Sequence, residues 1–317
     1  MDSSSVLDNV ELGIGTWQWG DRWMWGFGDD YAEADIKAAF ETSLAHGATL
    51  FDTAEIYGQG RSETFLGQFV RAAGKPVILA TKFMPFPWRL TKSRLQAALR
   101  RSLDRLGVER VDLYQIHMPW PPVPIETWMD ALADAVHAGL VREVGVSNYT
   151  VAQVQRAYAA LAQRDIRLAS NQVHYSLLDR HPEQSGLWAL CRELDIRLIA
   201  YSPLAQGVLS GKYTPAHPPR GLRARRYPPA FLKRLEGLLA LLRERGEAHG
   251  HKSPGQVALN WLISRGALPI PGVKTAAQAE ENLGAAGWRL TEAEVLALEA
   301  ASDQVLEAGA ARVPVGS

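Results

Sequence analysis

The 317-residue sequence predicts an α/β protein: a closed (β/α)8 barrel of eight parallel strands, each followed by a helix, with extra loops and a C-terminal helix. Three observations lead there. Short apolar runs of strand character alternate with segments of helical spacing, and parallel neighbours need such crossover helices. Eight of these units follow one another without a linker or a composition break, which favours a closed ring over an open sheet. An open, doubly wound sheet would place a Gly-x-Gly-x-x-Gly turn after an early strand. Gly13-x-Gly15 is present, but position 18 is Gln18.

Taken in order, Leu12–Trp17 is a short strand-like run broken by Gly13 and Gly15, and a Trp-rich loop follows over 17–31. Ala34–His46 has helical spacing at Ile36, Phe40 and Leu44, with Gly47 as its stop. Thr49–Ala54 reads as a buried strand opening into the turn Tyr57-Gly58-Gln59-Gly60, then a helix over Ser62–Ala73. Next come a strand at Val77–Lys82 and a helix from Thr91 to Leu106 with Leu95, Leu99, Leu103 and Leu106 on one face. Val111–His117 is a strand and Glu126–His137 a helix. The strand Arg142–Asn148 leads into a helix announced by the capping-box pattern Thr150-x-x-Gln153. Leu168–His174, Arg197–Pro203 and Ala267–Gly272 complete the strands, Ser253-Pro254 starts another helix, and Thr291-x-x-Glu294 caps the last. The segment Ala205–Pro229 is long and rich in Gly, Pro and Arg, and the stretch beyond Asp303 has few anchors and is expected to fray.

Composition narrows the function. Apolar residues make up 47% and charged residues 21%, ample for a core and consistent with a single domain over 1–317. Lys+Arg and Asp+Glu are both 34, so no net charge draws the chain to nucleic acid or to a membrane surface. Cys191 is the only cysteine, read as a small buried hydrophobe, which rules out an intrachain disulfide framework. Neither a signal peptide nor a membrane-length apolar run stands out, and the cytoplasm is the expected compartment. No His/Cys cluster has metal-ligand spacing, so no metal is expected.

The ionisable residues at strand ends carry the chemistry. Asp52, Lys82 and His117 close three consecutive strands, and Tyr57 lies five residues beyond Asp52. In a barrel of this kind the carboxyl ends of the strands hold the active site. A phenol is a poor acid at its reference pKa of ~10, and a nearby ammonium is expected to draw it down by about three pKa units at most before burial opposes the effect. A carboxylate would keep that ammonium charged and a histidine would orient an oxygen, so the set suits proton donation to a nascent alkoxide. The aromatic residues Trp19, Trp23, Trp25 and Phe27, with Trp120, are candidates to wall an apolar pocket for an aromatic or heteroaromatic aldehyde.

These residues sit in motifs that resemble the aldo-keto reductase superfamily over nearly the whole chain: Gly13-Ile14-Gly15-Thr16-Trp17, Phe51-Asp52-Thr53-Ala54-Glu55-Ile56-Tyr57-Gly58, Thr81-Lys82 and Val111-Asp112-Leu113-Tyr114-Gln115-Ile116-His117, followed by Gly145-Val146-Ser147-Asn148, Asn171-Gln172-Val173, the run from Tyr201 to Tyr213, and Ile270-Pro271-Gly272. The resemblance implies an NADPH-dependent reduction of an aldehyde or ketone to the alcohol, with Tyr57 as proton donor, Lys82 and Asp52 tuning it, and His117 orienting the carbonyl. It implies that Ser147, Asn148 and Gln172 hold the nicotinamide carboxamide, that Tyr201 stacks on the ring, and that Thr16 and Trp17 reach the ribose. Ser202, Pro203, Leu204, Gly207 and Lys212 would contact the pyrophosphate, with Arg220 favoured among the loop arginines. Gly272 and Lys274, before a helix carrying Gln278, Glu281 and Asn282, would hold the adenosine 2′-phosphate, so NADPH is favoured over NADH. The aromatic loop is similar to that of plant and cyanobacterial members resembling pyridoxal reductases. The alternative is a redox-sensing, NADPH-binding subunit similar to potassium-channel beta subunits, with slow turnover.

Overall fold

The computed structural model describes residues 5–310. Eight strands form one parallel sheet in sequence order: β1 (Ile14–Gly15), β2 (Leu50–Asp52), β3 (Ile78–Phe83), β4 (Val111–Ile116), β5 (Val141–Ser147), β6 (Leu168–His174), β7 (Arg197–Tyr201) and β8 (Leu268–Pro269). The two edges meet. The Gly13 N–H donates to the Pro269 carbonyl at 3.0 Å, the Gly15 N–H donates to the Pro271 carbonyl at 3.0 Å, and Gly15 pairs in parallel with Gly272. The ring is therefore closed, the (β/α)8 arrangement expected from the alternation. Closure leaves no free edge.

At the seam, β1 and β8 are each two residues long, shorter than the expected Leu12–Trp17 and Ala267–Gly272. Pro269 and Pro271 have no N–H to give, so only alternate carbonyls carry the pairing.

Two layers follow from the strand alternation. Inside the ring, Leu50, Ala80, Leu113, Ala169, Ile199 and Leu268 pack together, with Leu7 and Val10 of the N-terminal segment against them. Asp52, Lys82 and Gln115, each two residues further along its strand, share the inward face of Leu50, Ala80 and Leu113 and form a polar layer above the apolar one. Outside the ring, helices cover the sheet with apolar stripes. Lys92–Leu106 buries Leu95, Ala98, Leu99, Ser102, Leu103 and Leu106, and each fully buried leucine contributes roughly 1.5–3 kcal/mol.

The loop after β7 holds more structure than its composition suggests. It contains a 3-10 turn at Ala205–Ser210 and a helix at Leu222–Arg226, and it leads into a 20-residue helix, Pro229–Ala248. Pro228-Pro229 reads as a loop signal, yet proline suits the first turn of a helix. The last helix, Glu292–Ala310, continues past Asp303, where fraying was expected; the remainder of that stretch, 311–317, lies outside the described residues. Val305 is buried and Arg180 pairs with Asp303 at 2.8 Å, and these contacts hold that turn. Among the described residues no helix is long and apolar enough to cross a membrane.

One close contact tests the outer layer. On the helix Arg61–Ala73, a Cβ at Gly67 would lie 2.3 Å from the Leu106 carbonyl oxygen. Helix propensity favours alanine over glycine by about 1 kcal/mol, whereas overpacking costs about 1–3 kcal/mol. Because the neighbour is backbone, the clash should win, and Gly67→Ala is expected to lower the urea-unfolding free energy by about 1–2 kcal/mol. A stabilised variant would contradict this packing.

Candidate active site

Asp52 ends β2, Lys82 stands near the end of β3, and His117 follows β4, its N–H donating to the Phe83 carbonyl at 2.8 Å. Tyr57 begins a tight turn in which Gly58 and Gln59 both take left-handed conformations (φ 54 and 60). A Cβ on Gly58 would approach the Gly20 backbone to 2.8 Å, so this turn needs glycine there.

The four side chains meet. Lys82 is fully buried; its ammonium pairs with Asp52 Oδ1, donates to the Thr53 carbonyl at 2.8 Å, and lies 5.1 Å from the centre of the Tyr57 ring. The Tyr57 and His117 rings meet edge to face at 5.7 Å.

Burial governs the protonation states. It pulls the Lys82 ammonium below its ordinary value, while Asp52 and then Glu63 oppose it. His117 is pulled down to about 3, by burial first and the Lys82 charge second, so it is a neutral imidazole near pH 7. The Tyr57 phenol is pushed well above its ordinary value, by burial first and the Asp52 charge second. This reverses the expected direction for Tyr57. Most of the ammonium's field is taken up by its own counter-ion, and the cost of desolvating a phenolate is the larger effect.

These residues open onto a cavity of about 670 Å³ lined by Asp52, Tyr57 and His117. Of the candidate cofactor contacts, Thr16, Trp17, Ser147, Asn148, Gln172, Tyr201, Ser202, Pro203, Leu204, Gly207, Lys212, Gly272, Lys274, Gln278, Glu281 and Asn282 all line it. Asn148 is held in a left-handed conformation (φ 64), donates to the His117 carbonyl at 3.1 Å, and accepts from the Tyr201 hydroxyl at 3.0 Å. The backbone after β7 is left-handed at Ser202, Ala205, Gln206 and Gly207, and a Cβ on Gly207 would come within 2.9 Å of the Lys212 ammonium. Lys274 donates to the Trp25 carbonyl at 2.7 Å and sits 4.3 Å from the centre of the Tyr31 ring.

Five expectations fail. Arg220 does not line the cavity; Arg223 does, with its guanidinium 5.8 Å from the Trp25 ring centre and donating to the Tyr213 hydroxyl at 3.2 Å. Trp19 is fully buried, its indole N–H donating to the Val273 carbonyl at 3.0 Å, and Phe27 is also part of the core. Trp23 points outward at 94% exposure, and Trp120, 37% exposed, lies outside the cavity wall. Of the tryptophans expected in the pocket only Trp25 is there, edge-on to Trp17 at 5.4 Å. Met118, Ile56, Gln206 and Tyr213 line the cavity too; the last three stand in the quoted motifs but were given no role, and Met118 stands in none. Met118 follows His117 directly, and that adjacency is the one signal that could have found it.

Residues 11–303 match the aldo/keto reductase family. Over 306 residues the chain is 42% identical to the chloroplastic pyridoxal reductase of Arabidopsis thaliana, covering 92% of this chain and 83% of that protein. It also resembles a solved aldo/keto reductase from Klebsiella pneumoniae in complex with NADP and acetate, at 28% identity and a TM-score of 0.72, covering 92% and 90% of the two chains. A glycerol dehydrogenase from Gluconobacter oxydans superposes with a TM-score of 0.80 at 25% identity, covering 97% and 94%. The chain belongs to the aldo/keto reductase family and is an oxidoreductase.

The state of His117 can be read from stability. Between its unfolded value of 6.5 and its folded value of about 3, the unfolded chain binds a proton here that the folded chain does not. Residue 117 therefore makes stability fall as pH drops through that window, by at most about 1.4 kcal/mol per pH unit. His117→Gln is expected to flatten the curve of urea-unfolding free energy against pH between 6.5 and 4. Parallel curves for the two proteins would contradict a neutral buried imidazole.

Proposed function

We propose that the protein reduces an aldehyde or ketone to the alcohol with NADPH as the reductant. The observation that carries this reading is the convergence of Asp52, Tyr57 and His117 on one cavity, with Lys82 buried behind them against Asp52 and the Tyr57 ring, in a wall that also holds Lys212, Arg223 and Lys274. A nicotinamide held by these residues would supply the hydride that the carbonyl carbon takes. Tyr57, kept as a phenol by burial, donates its proton to the carbonyl oxygen. The phenolate left behind lies beside the Lys82 ammonium, which Asp52 holds in place. His117, neutral and with one N–H, donates to the same oxygen and orients it.

The cavity fits a phosphorylated dinucleotide. The Lys274 ammonium is pulled down by burial first and then by the charge of Arg223, with Lys212 adding to it, a repulsion that phosphate groups would relieve. Gly207, Ser202, Pro203, Leu204 and Lys212 would hold the pyrophosphate, and Lys274, Arg223, Gly272, Gln278, Glu281 and Asn282 the adenosine 2′-phosphate end. Thr16 and Trp17 would reach the ribose, with Ser147, Asn148, Gln172 and Tyr201 around the nicotinamide. Trp17, tilted against Tyr57 at 6.1 Å, gives the space beside the phenol an aromatic wall, which supports an aromatic or heteroaromatic aldehyde as substrate, whereas the Trp25 ring lies 5.2 Å from the Lys274 ammonium, toward the 2′-phosphate end. Pyridoxal is the first probe because the Arabidopsis relative carries it in its name. The cytoplasm suits the lone Cys191 thiol, buried and pushed up to about 12.

Two outcomes test this reading. Tyr57→Phe is expected to lower kcat for NADPH oxidation, across a panel of aldehydes that includes pyridoxal, by about 10²- to 10⁴-fold while NADPH still binds. Retained turnover would remove Tyr57 as the donor. Lys274→Met is expected to raise KM for NADPH by roughly tenfold or more and leave that for NADH nearly unchanged. Equal losses for both cofactors would mean that Lys274 does not read the 2′-phosphate.

A further inference from the structure

Asp52 has two carboxylate oxygens, and the Lys82 ammonium takes only Oδ1. Oδ2 accepts two side-chain amides, from Gln172 Nε2 at 2.9 Å and from Gln115 Nε2 at 3.2 Å. The Gln115 Oε1 in turn accepts from Gln172 Nε2 at 3.5 Å, so the three groups close a ring. Gln115 is fully buried on β4, two residues before His117 and in register with Lys82.

The neighbouring strand makes room for it. Gly145 on β5 is the register partner of Gln115, and a Cβ there would lie 3.1 Å from Gln115 Cγ and 2.2 Å from the Ser170 hydroxyl. Packing does not explain an amide at this place, since an apolar side chain of similar volume fills the space without burying groups that need partners. Among the described residues no hydrogen bond uses Oε1 of Gln172, and Gln172 lines the cavity.

We infer that Gln115 is a positioning residue for the proposed reduction: it holds Oδ2 of Asp52 so that Oδ1 stays on Lys82, and it shares that duty with Gln172, whose Oε1 remains available to the cofactor. This inference rests on the proposed carbonyl reduction. Gln115 touches neither carbonyl nor cofactor and acts through Asp52.

The test compares wild type, Gln115→Met and Gln115→Glu in steady-state NADPH oxidation with saturating aldehyde from pH 5 to 9, with NADPH binding followed by fluorescence. Methionine keeps the volume and removes the donor. It should cost about ten- to a hundredfold in kcat at every pH, with little change in KM for the aldehyde. A protonated glutamic acid restores a donor to Oδ2, and an ionised one sets two carboxylates against each other. Gln115→Glu should therefore approach wild type at acidic pH and lose rate as pH rises, through a break that the wild-type profile lacks. A wild-type kcat in Gln115→Met, or a Gln115→Glu profile parallel to wild type, overturns the inference. Should Gln115→Glu fail to fold, Gln115→Met decides alone, because it adds no charge. Failure of wild type itself to turn over any aldehyde overturns the proposed reduction instead.

Discussion

The mouth of this barrel depends on one buried ion pair. An ammonium carried into the interior without a partner costs several kcal/mol, and Lys82 is fully buried. What surrounds it serves to make that charge tolerable. Asp52 supplies the counter-charge and the Thr53 carbonyl a second acceptor. Glu63, also fully buried, adds a more distant negative charge that favours the ammonium. Glu63 has partners of its own, the Thr81 hydroxyl and the Arg105 guanidinium, both at 2.6 Å. The cationic centre of the site is thus anchored outward, through the helix Arg61–Ala73, to the helix Lys92–Leu106.

The same burial that makes the pair necessary sets the state of its neighbours. Tyr57 and His117 lie where either charged form would be poorly solvated, and both are held neutral. A neutral phenol and a neutral imidazole beside an ammonium can all donate hydrogen bonds. The phenol and the imidazole accordingly face one cavity as donors with the ammonium behind them, an environment suited to oxygen atoms that gain negative charge. Carboxamides extend that pattern: Gln115 and Gln172 present N–H groups to Asp52, and Asn148 to the His117 carbonyl.

Much of this was legible in the sequence, for reasons that differ from residue to residue. Asp52, Lys82 and His117 were found because strand ends are marked by turn residues and by the end of an apolar run. Gln115 was not singled out, although the two-residue alternation on β4 puts this polar residue on the inward face two positions before His117. The loops were less readable. Trp19, Trp23 and Trp25 are spaced four and two apart, and the last two share the four-residue helix Arg22–Trp25, yet one is core, one is solvated and one lines the cavity, since a single turn is too short to show a period from which to read direction. The choice of Arg220 over Arg223 failed for the same reason. The direction of the Tyr57 shift was missed on different grounds, because the attraction of a nearby ammonium can be written down from a pair of residues, whereas desolvation depends on everything packed around them.

Lys274 reaches across the cavity mouth to the Trp25 carbonyl, which ties the helix Ala276–Leu283 to the aromatic loop. The consequence is one of valence. An ammonium carries three N–H groups, and the loop carbonyl occupies one of them. A phosphate oxygen can therefore join this nitrogen without evicting the loop, so that the two share a single point of attachment. For the proposed cofactor, the order of the aromatic loop and the retention of the 2′-phosphate would then be parts of the same equilibrium, and a change in one would be felt in the other.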